Sequence, residues 1–286
     1  MYKSLIKNIG KTMKTLALSL LLTLEVMGYS FFQSDTSINK AHLELIHTIK
    51  DTVINTQKTR GLTNNYMNGN VVAQLLVYGQ RKQMLNHFKS METKFQKLEL
   101  PPNFYTNAST LMQRSKALNQ GAFKSDSAEV FSAYSNVIEQ WMDLNEGIIS
   151  WQFKEGEPQR YQGLLLLNNV LLPLTENIGK MRGMGSGIVA RGYCKEVETK
   201  KMQSFVSEIQ RYSILLQHHM SQTHYSALSS RESLAINEHI QEYASLTQQK
   251  VISQKDIELV TNEYFDQGTM TISEVLKIYN VVAASL

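Results

Sequence analysis

The sequence predicts an all-α protein: two packed antiparallel helical bundles after an N-terminal membrane helix. Three observations carry that expectation. Only four prolines occur, at 101, 102, 158 and 173, while Leu, Ser, Gln, Lys, Glu and Met are plentiful. No run of alternating β-branched residues marks a strand, and apolar residues recur at the three-and-four spacing of amphipathic helices. At 286 residues the chain is long enough to bury a core of its own.

The N-terminus opens the chain. Lys3, Lys7, Lys11 and Lys14 occur without an acid and lead into Thr15 to Leu24, and apolar residues continue through Phe32. The run approaches the roughly 20 residues of a spanning helix, and the lysines would stay cytoplasmic by the positive-inside tendency. Residues 1–33 are therefore expected to be an uncleaved anchor, with contact to the membrane through residues 15–33. Such a protein is single-pass in the inner membrane with its main domain in the periplasm. A cleaved signal segment, and hence secretion to the periplasm, is the alternative. No Ala-x-Ala site closes the run, which opposes cleavage, whereas Glu25 opposes a permanent span. The final apolar stretch, Val275 to Leu286, is too short to cross a bilayer and contains Lys277.

Residues 37–286 are expected to form one all-helical domain, the first bundle over about 37–152 and the second over about 159–286, with long helices shared. Ile46, Ile49 and Val53 mark a first helix over about 39–67. A second runs from about 71 to 98, where Pro101-Pro102 stops it, and a shorter third ends in the turn-rich stretch Gly121 to Ser127. A fourth, about 128–152, holds Trp141 and Trp151. The second half begins with a long apolar helix from about 159, kinked at Pro173, and Gly192 interrupts it. An amphipathic helix over about 195–228 follows, then Ser229 and Glu232 at capping-box spacing. Shorter helices over about 231–249, 254–265 and 270–285 complete the expectation.

Charge and cysteine narrow the function. The formal net charge is +4, but the four N-terminal lysines account for most of it, so the helical domain is close to neutral. It lacks the basic patch of a nucleic-acid binder, and none is expected as a partner. Cys194 is the only cysteine, which excludes a disulfide framework and a cysteine-rich metal site. His218, His219 and His224 miss the four-residue spacing that puts two ligands on one helix face, so no metal or other cofactor is expected. No Gly-x-Ser-x-Gly elbow or comparable nucleophile context occurs, and the chain is not expected to be an enzyme.

One pattern stands out. Lys58-Thr59-Arg60-Gly61 and Lys180-Met181-Arg182-Gly183 share Lys-x-Arg-Gly, displaced by 122 residues. Helical steps from Ile46, Ile49 and Val53 reach Thr56 and then Arg60. The stripe Leu164, Leu167, Leu171, Leu174, Ile178 steps to Arg182. Both guanidinium groups thus continue an apolar face, where a charge is costly unless paired or hydrogen-bonded. The partner is either a protein carboxylate or a ligand anion. Gly179, Gly183 and Gly187 recur at four-residue spacing, leaving a smooth face for close helix packing or room beside Arg182. Arginine's planar fork suits two-point contact with a small oxyanion.

These two segments, together with Tyr264-Phe265-Asp266-Gln267-Gly268-Thr269-Met270-Thr271-Ile272, resemble the nitrate- and nitrite-sensing (NIT) domain of bacterial receptors over roughly residues 40–286. The resemblance implies an all-helical domain that binds nitrate or nitrite between arginines and transmits a conformational change. It implies Arg60 and Arg182 as ligand-binding residues, with Arg231 a third matched by its distance from the C-terminus. Lys58-Thr59 departs from the pair that commonly precedes the first Arg-Gly of the family. Because the chain ends with the module, signalling is expected to pass through a partner protein or a homodimer. Two other readings stand beside this one. One is a membrane-tethered helical protein-interaction module whose arginines are satisfied internally, and the other is a transport-type anion-binding protein.

Overall fold

The computed structural model describes residues 39–222 and 230–286, the side chains of 222 and 230–233 excepted. The anchor expected over 1–33 lies outside the described residues, and among those described no helix is long and apolar enough to cross a membrane. The compact unit discussed below is Ile46–Leu286.

Every regular element among the described residues is helical. Helix α1 occupies 39–67. It is followed by α2 (Ala73–Lys97), α3 (Pro102–Gly121), α4 (Ser127–Phe153), α5 (Pro158–Leu166), α6 (Leu172–Arg191), α7 (Glu196–Gln222), α8 (Ser230–Thr247) and α9 (Thr261–Ala284). The boundaries follow local chemistry. Pro102 and Pro158 stand in the first turns of α3 and α5, where a missing N–H costs nothing. Asp126 caps α4, its carboxylate accepting from the backbone N–H of Ala128 at 2.8 Å and of Glu129 at 3.3 Å. Gly192 ends α6 in the left-handed conformation at φ 85°, its N–H bonding to the carbonyls of Ile188 and Val189.

The long helix expected from about 159 is present but divided. A π-helical turn, Leu167–Leu171, separates α5 from α6, and the Leu172 N–H reaches back to the Leu167 carbonyl. The irregularity therefore precedes Pro173 rather than centring on it. A second π turn, Gln248–Ile252, closes α8. The two short helices expected over 254–265 and 270–285 are instead one helix, α9, preceded by a non-helical stretch over 253–260. Gly268, between the two expected segments, is an interior helical residue whose lack of Cβ admits a neighbouring tyrosine. The expected capping box at Ser229 lies outside the described residues.

In the first half α2 and α3 pack together and α3 packs on α4. Phe88 of α2 stacks on Trp141 of α4 with ring centroids 6.1 Å apart. In the second half α6 packs against both α7 and α9, and α8 lies against α9. Within the unit, α1 over 46–67 touches α2 through Asn55, which donates to Gln80 at 2.9 Å. It reaches α6 through Asn64, which donates to the Gly183 carbonyl at 2.8 Å.

Candidate anion site

The sequence stripes are the buried faces. Ile46, Ile49, Val53, Thr56 and Arg60 on α1 are buried, as are Leu174, Ile178 and Arg182 on α6. Arg60 is 0% exposed and Arg182 3%. Long apolar stripes thus carry both guanidinium groups into the interior, where hydration is lost and each N–H needs a partner.

The two Lys-x-Arg-Gly segments meet. A Cβ added at Gly183 would lie 3.0 Å from the Gly61 Cα, and one at Gly61 would lie 3.5 Å from the Gly183 Cα. Helices α1 and α6 therefore cross at the two glycines, so closely that a Cβ at Gly183 would press on the Gly61 backbone. Each arginine reaches past the crossing to the opposite helix. The position of a Gly179 Cβ is 3.3 Å from Arg60 Nη2, and that of a Gly61 Cβ is 3.9 Å from Arg182 Nε. A Cβ at Gly187 would collide with the Asn64 side-chain amide at 2.4 Å. The glycine row of α6 is thus the bed in which Arg60, Gly61 and Asn64 of α1 lie.

The two terminal nitrogens of Arg60 are paired within the protein, while its buried Nε has no hydrogen-bond partner among the described residues. Its Nη1 donates to Glu176 Oε1 at 2.5 Å and its Nη2 to Glu176 Oε2 at 3.1 Å, a two-point pair with a carboxylate itself only 2% exposed. Nη1 also donates to Ser135 Oγ at 2.8 Å, and the guanidinium lies 4.8 Å from the centre of the Phe131 ring. Lys180 approaches the same carboxylate at 3.6 Å while bonding Glu139 at 3.0 Å.

Arg182 is different. Its Nη1 donates to Thr269 Oγ1 at 2.9 Å and its guanidinium lies 4.6 Å from the centre of the Phe265 ring. It forms no ion pair with a carboxylate, and its buried Nε has no hydrogen-bond partner among the described residues. Desolvation, with a smaller contribution from the Arg60 charge, pulls its pKa down to about 10. Tyr243 lies beside it, and Tyr264 packs against Tyr243 with ring centroids 5.2 Å apart. Burial raises Tyr264 to about 12 and Tyr243 well above the ordinary phenol range. Gly268 lets Tyr243 in: a Cβ there would stand 2.5 Å from the Tyr243 hydroxyl and 2.8 Å from Arg182 Cγ.

Beside this core, a cleft of about 450 Å³ opens between α4, α6 and α7, with Ser135, Glu139 and Lys180 in its wall. Ser135 is the same residue that accepts from Arg60. Arg191, Lys195 and Lys201 add positive charge to the lining, partly offset by Glu198, which pairs with Arg191 at 2.5 Å.

The structure thus brings Arg60 and Arg182 into one interior region on crossing helices. Arg231 stands in the first turn of α8, and its side chain lies outside the described residues. Sequence reasoning missed Glu176, although a signal existed: it is the only acidic residue between Glu157 and Glu196. It also missed Ser135 and Phe131 of α4, which no spacing relative to Arg60 identifies. Thr269 and Phe265 fall inside the third motif segment quoted above.

Among solved structures, the NasR transcription antiterminator has a similar chain, with a TM-score of 0.66 at 12% sequence identity. The match covers 90% of this chain and 72% of that one, and at this identity the likeness is one of fold. No curated protein matches the sequence. The family model described as nitrate and nitrite sensing matches residues 51–286, which include both arginines and the helices that cross at them. The chain belongs to the nitrate- and nitrite-sensing family.

Proposed function

We propose that this protein is an extracytoplasmic sensor module that takes nitrate or nitrite at the α1–α6 crossing, through Arg60 and Arg182, and passes a conformational change to a partner. The observation that carries this reading is Arg182, a buried cation with a depressed pKa, an unpartnered Nε and no carboxylate of its own. A bound monovalent anion supplies what that site lacks, and a planar oxyanion matches the donor geometry of guanidinium groups. Binding would draw α1 and α6 together about the Gly61–Gly183 contact, a shift in population between two packings. The lysine-led apolar N-terminus supports an extracytoplasmic position, and Arg231 is a candidate third ligand.

Calorimetric titration of the full chain with nitrate, nitrite, chloride and sulfate tests it. Selective binding of nitrate or nitrite is expected, weakened at least tenfold by Arg182→Gln. Absence of selective heat, or equal affinity in the variant, overturns the reading. The interaction-module alternative draws on one observation, the two-point ion pair of Arg60 with Glu176. It does not account for Arg182, which has no such partner.

A further inference from the structure

Glu176 occupies the position on Arg60 that a planar oxyanion would take. A carboxylate and a nitrate or nitrite ion both present two oxygens on one edge and carry a single negative charge, so each fits the guanidinium fork in the same two-point manner. Here the fork is filled, at 2.5 and 3.1 Å, by a side chain of the protein. A pair of this kind is ordinarily structural, and three observations set this one apart. Arg60 Nη1 also contacts Ser135, which lines the cleft between α4, α6 and α7. Lys180, in the same wall, lies 3.6 Å from the Glu176 carboxylate and offers it a second cation. The region already holds Arg182 without an acid, so Arg60, Arg182 and Lys180 share one buried carboxylate.

Resting on the anion-site reading above, we propose that Glu176 is a resident stand-in for the ligand, which enters by exchange. The incoming anion takes the Arg60 fork, and the Glu176 carboxylate transfers to Lys180, which releases Glu139 on α4. Glu176 thereby sets both affinity and specificity. A ligand must outcompete an internal carboxylate, so the apparent affinity is lowered by the fraction of molecules with Arg60 free. Only small planar monoanions with a two-oxygen edge replace it: nitrate, nitrite and, more weakly, formate. Tetrahedral sulfate and spherical chloride do not.

Calorimetry on the full chain, with melting and far-ultraviolet circular dichroism confirming the fold of each variant, decides it. Glu176→Gln keeps the shape and removes the charge, and nitrate binding should tighten at least tenfold. Lys180→Met should weaken nitrate binding about threefold or more when Glu176 is present, and change nothing once Glu176→Gln is also made. Nitrate affinity in Glu176→Gln equal to or below that of the parent overturns the exchange, as does the same effect of Lys180→Met in both backgrounds. Should Glu176→Gln not fold, unchanged affinity in Lys180→Met alone overturns it. If neither parent nor variants take up nitrate or nitrite, the anion-site reading itself fails and the exchange with it. A parent that binds while Glu176→Gln binds no tighter removes only the exchange.

Discussion

Arg60 and Glu176 form a fully buried ion pair, so deleting one partner strands the other charge in the core. Arg60→Ala is expected to cost about 3–5 kcal/mol in denaturant unfolding. Making Glu176→Ala as well should recover part of that loss, and strict additivity would show that the pair is not coupled. The neighbouring groups set the alkaline limit. Arg182, held down to about 10, binds its proton more weakly in the folded state, so its charge destabilises the fold at neutral pH and that penalty is relieved above about 10. Tyr264, raised to about 12, acts in the opposite sense, as do Tyr134, Tyr243 and Tyr279, whose pKa values burial also raises. The unfolded chain loses these phenolic protons near 10 while the folded one keeps them, so above about pH 10 four tyrosines outweigh one arginine and stability falls. Thermal melts between about pH 9 and 11 should show a declining Tm, and spectrophotometric titration should show a late-ionising class among the 13 tyrosines.

The helices divide the glycines into two kinds. A Cβ added at Gly183 would stand 3.0 Å from the Gly61 Cα and 3.1 Å from the Phe131 ring, whereas one at Gly79, in α2, would meet nothing within 4 Å. Alanine raises helix propensity by roughly 1 kcal/mol at either position. At Gly183 it also forces α1 and α6 apart, an overpacking cost of about 1–3 kcal/mol or more. Gly79→Ala should therefore raise the unfolding midpoint and Gly183→Ala lower it, the latter weakening nitrate binding too. The Gly179–Gly183–Gly187 row was legible as a smooth face, because its spacing lies along one helix. That α1, and not another helix, lies on it was not legible. Nor was the continuity of α9, since an interior glycine that admits Tyr243 looks the same in sequence as one that ends a helix.

For the whole molecule, a ligand that binds only the folded state stabilises it by mass action. Nitrate at about 100 times its dissociation constant should contribute about 2.7 kcal/mol, a rise in Tm of about 5–10 °C for a domain of this size. Sulfate at the same concentration should give none of it beyond its general salt effect, and a shift of equal size with sulfate would point to nonspecific screening. The helical class, the approximate extents of α1, α2 and α4 and the burial of Arg60 and Arg182 follow from sequence alone. Each depends on side-chain period, caps and prolines within one segment, and such local chemistry is written in residue order. What neutralises those arginines was decided only by the tertiary structure. Glu176 is 116 residues from Arg60 and meets it because α1 and α6 cross at two glycines. Arg182, at the same crossing, lies beside Thr269, Phe265 and Tyr243 and forms no ion pair with a carboxylate among the described residues. One arginine is therefore paired with a carboxylate and the other is not, a difference that comes from which helices touch and at what residue.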